Sequence, residues 1–125
     1  MIEFLPAPDH VVAMQLTGTL TAQDIEQSIA KIEAALGRHR RIATFVDTVG
    51  FTDVTPDAMA RDLRYSFSRI ADWSRFPRNA VLTDKTWLKL WVRTGSALVP
   101  GVEARAFDPS ERDEAWTWVS ALDPA

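Results

Sequence analysis

Asp47, Asp53 and Asp57 fall close together in the chain. Grouped carboxylates of this kind can serve as an acid/base pair or hold a divalent cation. The same residues are accounted for by turn chemistry and by the favourable placement of negative charge near a helix start, and that is the reading adopted. His10 and His39 are the only histidines, and no His-x-x-x-His or His-Glu spacing accompanies them. Neither lies near a nucleophile in sequence, so both read as surface residues. Gly18 and Gly50 stand alone, which leaves no glycine-rich cradle for phosphate. Cysteine is absent, which excludes disulfides, thiolate catalysis and cysteine-ligated metals. The expectation is a chain that is not an enzyme and carries no metal and no cofactor.

Arginine and tryptophan are the informative residues. Between Gly37 and Arg78 eight arginines face five acidic residues, although the whole chain carries a net charge of −3. Arg38, Arg40 and Arg41 have the chemistry to meet a phosphate or an anionic headgroup. A solvated loop beside a helix end explains them as well and is preferred. The overall negative charge argues against nucleic-acid binding. Five tryptophans occur in 125 residues. Trp116 and Trp118 are two apart on a helical pattern, so they cannot both face inward, and one belongs at a rim or interface. Trp87 and Trp91, four apart, form a stripe with Leu88 and Val92 beside it and Leu90 on the far side. Core packing is expected for Trp87. A helix apolar around so much of its circumference also offers surface to a partner or ligand. Phe67, Trp73 and Phe76 are placed to form the facing wall of an apolar cleft.

Four helix starts position these residues. Thr21-Ala22-Gln23-Asp24 reads as a capping box, followed by Ile25, Ile29, Ile32 and Leu36 on one face, with Gly37 as the stop. Thr55-Pro56 opens a second helix running to about Trp73, with Met59, Leu63, Phe67 and Ile70 as its predicted buried face. Thr83-Asp84 caps a third, ending near Gly95, and Asp108-Pro109-Ser110-Glu111 starts a fourth. Short apolar runs at Val11 to Leu16, Ile42 to Val46, Ala80 to Leu82 and Val102 to Phe107 read as strands buried on both faces. Ile2 to Leu5 lies too close to Val11 for a crossover, so it pairs antiparallel at an edge. The predicted fold class is α/β: one domain over residues 1–125, with a single-layer, mixed, mostly parallel five-stranded sheet flanked by four helices in the order ββαβαβαβα. No apolar run is long enough to span a membrane, and no secretory leader is visible at Met1-Ile2-Glu3-Phe4, so a cytoplasmic location is expected.

The stretch Val11-Val12-Ala13-Met14-Gln15-Leu16-Thr17-Gly18-Thr19-Leu20-Thr21, with Asp24-Ile25-Glu26 behind it, resembles the opening of the SpoIIAA-like family. Phe45-Val46-Asp47, Asn79-Ala80-Val81-Leu82-Thr83-Asp84 with Trp87, and Val102 to Phe107 leading to Glu114-Ala115-Trp116-Thr117-Trp118 continue the likeness in order. The family is similar to STAS domains, and its architecture to the CRAL-TRIO lipid-binding fold. The resemblance implies a non-catalytic regulatory or protein-interaction module, docking a protein partner or a second copy through Trp87, Trp91 and the residues up to Leu98. It also implies an alternative: a small lipid-like or anionic ligand in an apolar cleft between the second and third helices, with Arg64 or Arg69 near its head. STAS regulators carry an Asp-Ser-Ser-Gly type turn whose second serine takes phosphate. Here that turn would be Asp47-Thr48-Val49-Gly50, where Val49 has no hydroxyl and Thr48 is the only substitute.

Overall fold

The computed structural model describes residues 1–125. Its sheet has five strands in sequential order: β1 (Ile2–Phe4), β2 (Val11–Leu20), β3 (Ala43–Val54), β4 (Arg78–Leu82) and β5 (Glu103–Phe107). β1 pairs antiparallel with β2 at one edge, and the other neighbours are parallel. The helices are α1 (Ala22–Arg38), α2 (Pro56–Ser68), α3 (Thr86–Leu98) and α4 (Arg112–Ser120). A 3₁₀ segment, Ile70–Arg75, follows α2, and a short 3₁₀ turn, Pro109–Glu111, precedes α4. This is the α/β class, sheet composition and strand–helix order expected from the sequence.

Alternation along the strands divides the core into two layers. Val11, Ala13, Phe45, Ala80, Leu82 and Phe107 face α4, which meets them through Ala115 and Val119, with Leu122 just beyond the helix. Val12, Met14 and Leu20 belong to the opposite layer, where α1 supplies Ala35 and Leu36. Both central strands are therefore covered on both faces, which is why they read as continuous apolar runs.

The strands are longer than their apolar runs. β3 does not turn at Asp47. It continues through Thr48, Val49 and Gly50 to Val54, while β4 ends at Leu82 opposite Asp47. Beyond that point β2 and β3 run on as a two-stranded arm, with Leu20 beside Val54. Gly18, at φ +62, sits at a register shift in this arm, a conformation that a side chain would resist.

Four helix expectations also change. Gly37 lies inside α1, which runs one residue further and is capped by His39. Thr83 does not cap α3; it is fully buried and its Oγ1 accepts from Lys85 N, so the helix starts at Thr86 without a side-chain cap. The Asp108–Glu111 box forms as predicted, but it closes the 3₁₀ turn ahead of α4. The predicted buried face of α2 is inverted. Met59, Leu63, Phe67 and Ile70 are all exposed, and Ala58 is the helix's only buried residue. α2 packs on α1 through its other side, where Ala58 and Tyr65 meet Ile25 and Ile29. Arg61–Glu26 and Arg69–Glu33 ion pairs flank that contact.

Candidate functional site

The side of α2 that faces the protein carries Asp62, Tyr65, Ser66 and Arg69, spaced by three, one and three residues on one helical face. All four line a cavity of about 680 Å³ between the sheet and helices α1, α2 and α3. Sixteen of its 23 lining residues are hydrophobic, which makes it an apolar chamber with few polar groups. It reaches from Ile2 on the β1 edge to Val102 beside β5, with Met14, Val46 and Phe51 from the strands between as floor. Leu88 of α3 and Trp73 of the 3₁₀ segment complete the wall.

Most polar groups along the wall are already satisfied. Ser28 Oγ donates to Ile25 O at 2.8 Å, Thr44 Oγ1 to Asn79 Oδ1 at 2.7 Å, and Trp73 Nε1 to Ser66 O at 2.9 Å. Arg69 pairs with Glu33 on α1 and with Asp72 at 2.9 Å. Its pKa is raised by the hydrogen bond to Asp72, with Glu33 adding to the effect, so it stays protonated and its charge is offset. Asp62 and Tyr65 differ. Asp62 forms no hydrogen bond and no ion pair, and the surrounding protein raises its carboxyl pKa by desolvation, although solvent still reaches it. The Tyr65 hydroxyl is buried without a well-formed hydrogen bond, with Arg69 and Glu33 close to it, and desolvation raises its pKa, the Glu33 charge adding to the effect.

The expected site residues separate into three groups. Trp73, Arg69 and Thr48 line the cavity. Arg64 and Phe67 are exposed on the far side of α2, away from it. Trp87 and Trp91 are 61% and 75% exposed, so the core position expected for Trp87 does not occur. Val92 is the one buried residue of α3, and the helix leans on β5 rather than on α2. The outer surfaces of α2 and α3 thus carry two apolar stripes, Leu63 and Phe67 on one, with Met59 at the cavity rim, and Trp87, Leu90 and Trp91 on the other.

Asp47 and Thr48 are both buried in β3; Thr48 lines the cavity and Asp47 does not. Asp47 accepts from Val49 N at 3.0 Å and from Arg112 Nη1 at 2.9 Å. Thr48 Oγ1 donates to Leu82 O at 2.9 Å. Asp53 and Asp57 do not join Asp47 in any group able to hold a metal ion. His10 and His39 are half-buried and packed edge to face at 6.3 Å, and His39 Nε2 lies 2.7 Å from Asp9 Oδ2. Trp116 stacks on Phe45 at 4.3 Å while Trp118 tilts against Phe107 at 6.0 Å, so both indoles are half-buried on opposite flanks of α4. Asp62 and Tyr65 are the site residues that sequence reasoning missed. The signal was available as the polar series at 62, 65, 66 and 69, which marks a face turned toward something other than a dry core.

The solved structures agree with this fold. An uncharacterized protein of the DUF3478 family with a SpoIIAA-like fold, from Shewanella loihica PV-4, superposes with a TM-score of 0.72 at 22% identity, over 95% of this chain and 92% of that one. The anti-sigma factor antagonist SpoIIAA in its unphosphorylated form gives 0.59 at 17% identity, over 98% of this chain and 100% of that one. No curated protein matches the chain. No helix is long and apolar enough to cross a membrane. The profile of the SpoIIAA-like family matches residues 11–120, and the chain belongs to that family.

Proposed function

We propose that this protein is a non-catalytic regulatory module that works by protein contact, and that the outer face of α2 and α3 docks a second copy of the chain. The likeness to an anti-sigma factor antagonist supports a regulatory role. The observation that carries the docking reading is the pair of large apolar stripes left exposed, one on α2 and one on α3. A face of large side chains left in water is the mark of an interaction surface. Phe67, Trp87 and Trp91 alone would bury on the order of 400 Å². With Met59, Leu63, Ile70, Leu90 and Leu98 added, the patch approaches the roughly 800 Å² per partner of a standard interface. Arg64 on α2 and Arg93 on α3 are exposed as well, so a two-fold axis must set the apolar stripes together while keeping these cations apart. Size-exclusion chromatography with light scattering tests this. The expected mass is twice the 14.0 kDa of the chain, and a monomer at all concentrations would refute the reading.

The cavity favours a second reading, in which the protein also holds an apolar small molecule between α2 and α3. Its 680 Å³ falls within the roughly 300–1,000 Å³ typical of ligand sites. The burial of Thr48 and the engagement of its hydroxyl weigh against phosphorylation at that position.

A further inference from the structure

We propose that the cavity selects an elongated apolar molecule whose head donates hydrogen bonds, a hydroxyl or a protonated amine, seated between Asp62 and Tyr65. This rests on the ligand reading of the cavity and specifies what that ligand must be. Length follows from the walls: Ile2 and Val102 lie at opposite edges of a five-stranded sheet, four interstrand spacings or about 19 Å apart. An extended chain suits that floor.

The head follows from the polar inventory. Asp62 and Arg69 are the only lining residues that carry a formal charge at neutral pH. Arg69 is held by Glu33 and Asp72, so the charges on and beside this wall sum to an excess of negative. An anionic head, the expectation based on Arg64 and Arg69, therefore meets no free cation: Arg64 is exposed outside the cavity and Arg69 is matched twice over. Asp62 has acceptor oxygens without donors, and Tyr65 has a hydroxyl without a well-formed hydrogen bond, one helical turn further along the same face. A buried hydroxyl with no partner is destabilising, and a ligand that supplies one recovers that loss. A hydroxyl head donates to Asp62 and accepts from Tyr65. An ammonium head pairs with the Asp62 carboxylate and donates to the Tyr65 oxygen. A carboxylate head would meet the like charge of Asp62 with no free cation beside it, which disfavours it.

The test is isothermal titration calorimetry of the full chain with three probes of matched chain length: decanol, decylamine and decanoate. Mildly alkaline buffer keeps decylamine protonated and decanoate ionised. The expected result is binding of decylamine and decanol, each at least about tenfold tighter than decanoate. Asp62→Asn should abolish the preference for decylamine over decanoate while decanol still binds. Decanoate binding as tightly as either of the others would overturn the head-group assignment and leave the cavity as a ligand site. So would a preference unchanged in Asp62→Asn. Failure of all three to bind the wild-type chain would overturn both the assignment and the ligand reading.

Discussion

The Asp47 carboxylate accepts a hydrogen bond from Arg112 Nη1 at 2.9 Å, tying the middle of β3 to the first residue of α4. The carboxylate is nearly buried while the guanidinium is partly in solvent and lies over the Phe45 ring at 5.3 Å. Asp47 also fixes Val49 N, so it serves both the helix and the strand. Removing the buried member leaves more unsatisfied groups than removing the exposed one. Asp47→Ala is expected to lower stability by about 2 kcal/mol, and Arg112→Ala by about 1 kcal/mol, in urea unfolding. An Asp47→Ala protein as stable as the wild type would remove Asp47 from the structural role given to it.

Phe45 is fully buried and stacked on Trp116 at the centre of the α4 layer. Phe45→Ala should cost about 3–5 kcal/mol and shift the fluorescence of Trp116, since the cavity opens directly beneath that indole. Thermal melting with an emission spectrum checks both effects in one sample.

The first helix makes a separate forecast about acid. Thr21 Oγ1 accepts from Asp24 N at 3.3 Å, and Thr21 N donates to Asp24 Oδ2 at 2.9 Å. That backbone hydrogen bond holds the Asp24 carboxyl below its ordinary value of 3.8. A depressed pKa means the unfolded chain binds the proton more readily, so the contribution is present above about pH 3.8 and is lost as pH falls below it. Thr21→Ala is expected to cost about 1 kcal/mol at neutral pH, and Asp24→Asn, which removes the titrating group, to lessen the acid sensitivity. Unfolding curves across the acid range measure both.

Asp62 has the opposite sign. Its folded pKa is raised by desolvation, so the folded state favours the protonated form. Stability from this group is greatest below about pH 3.8 and declines as pH rises through the folded pKa. Asp62→Asn should therefore melt higher than wild type at neutral pH, with the gap closing in acid. A variant that melts lower at neutral pH would mean that the carboxylate has a partner in the folded protein.

Much of the framework was legible because it rests on local chemistry. Thr21 with Asp24, Thr55 before Pro56, and Asp108 with Glu111 each announce a helix start by a hydrogen bond made within four residues. The extent of β2 and β3 was not legible, because Thr17-Gly18-Thr19 and Val49 to Val54 pair with each other in an arm that lacks the apolar continuity of the central sheet. The face of α2 was misread for a different reason. A period of 3.6 shows that Met59, Leu63 and Phe67 share a side, but only the packing partner decides whether that side is inside. Here α1 offers Glu26, Glu33, Ile25 and Ile29, and these take Arg61, Arg69, Ala58 and Tyr65 instead. The cavity joins residues from β1 to Val102 and has no local signature at all.

Self-association turns on Trp91, which is three-quarters exposed in the isolated chain and stands in the middle of the α3 stripe. Trp91→Glu should change folding stability by less than about 0.5 kcal/mol, since the side chain is in water in the monomer. Sedimentation equilibrium of wild type and Trp91→Glu over a concentration series measures the association itself. The wild type should reach twice the chain mass while the folded variant stays at 14.0 kDa. A folded variant that associates as tightly as the wild type would contradict docking through this face.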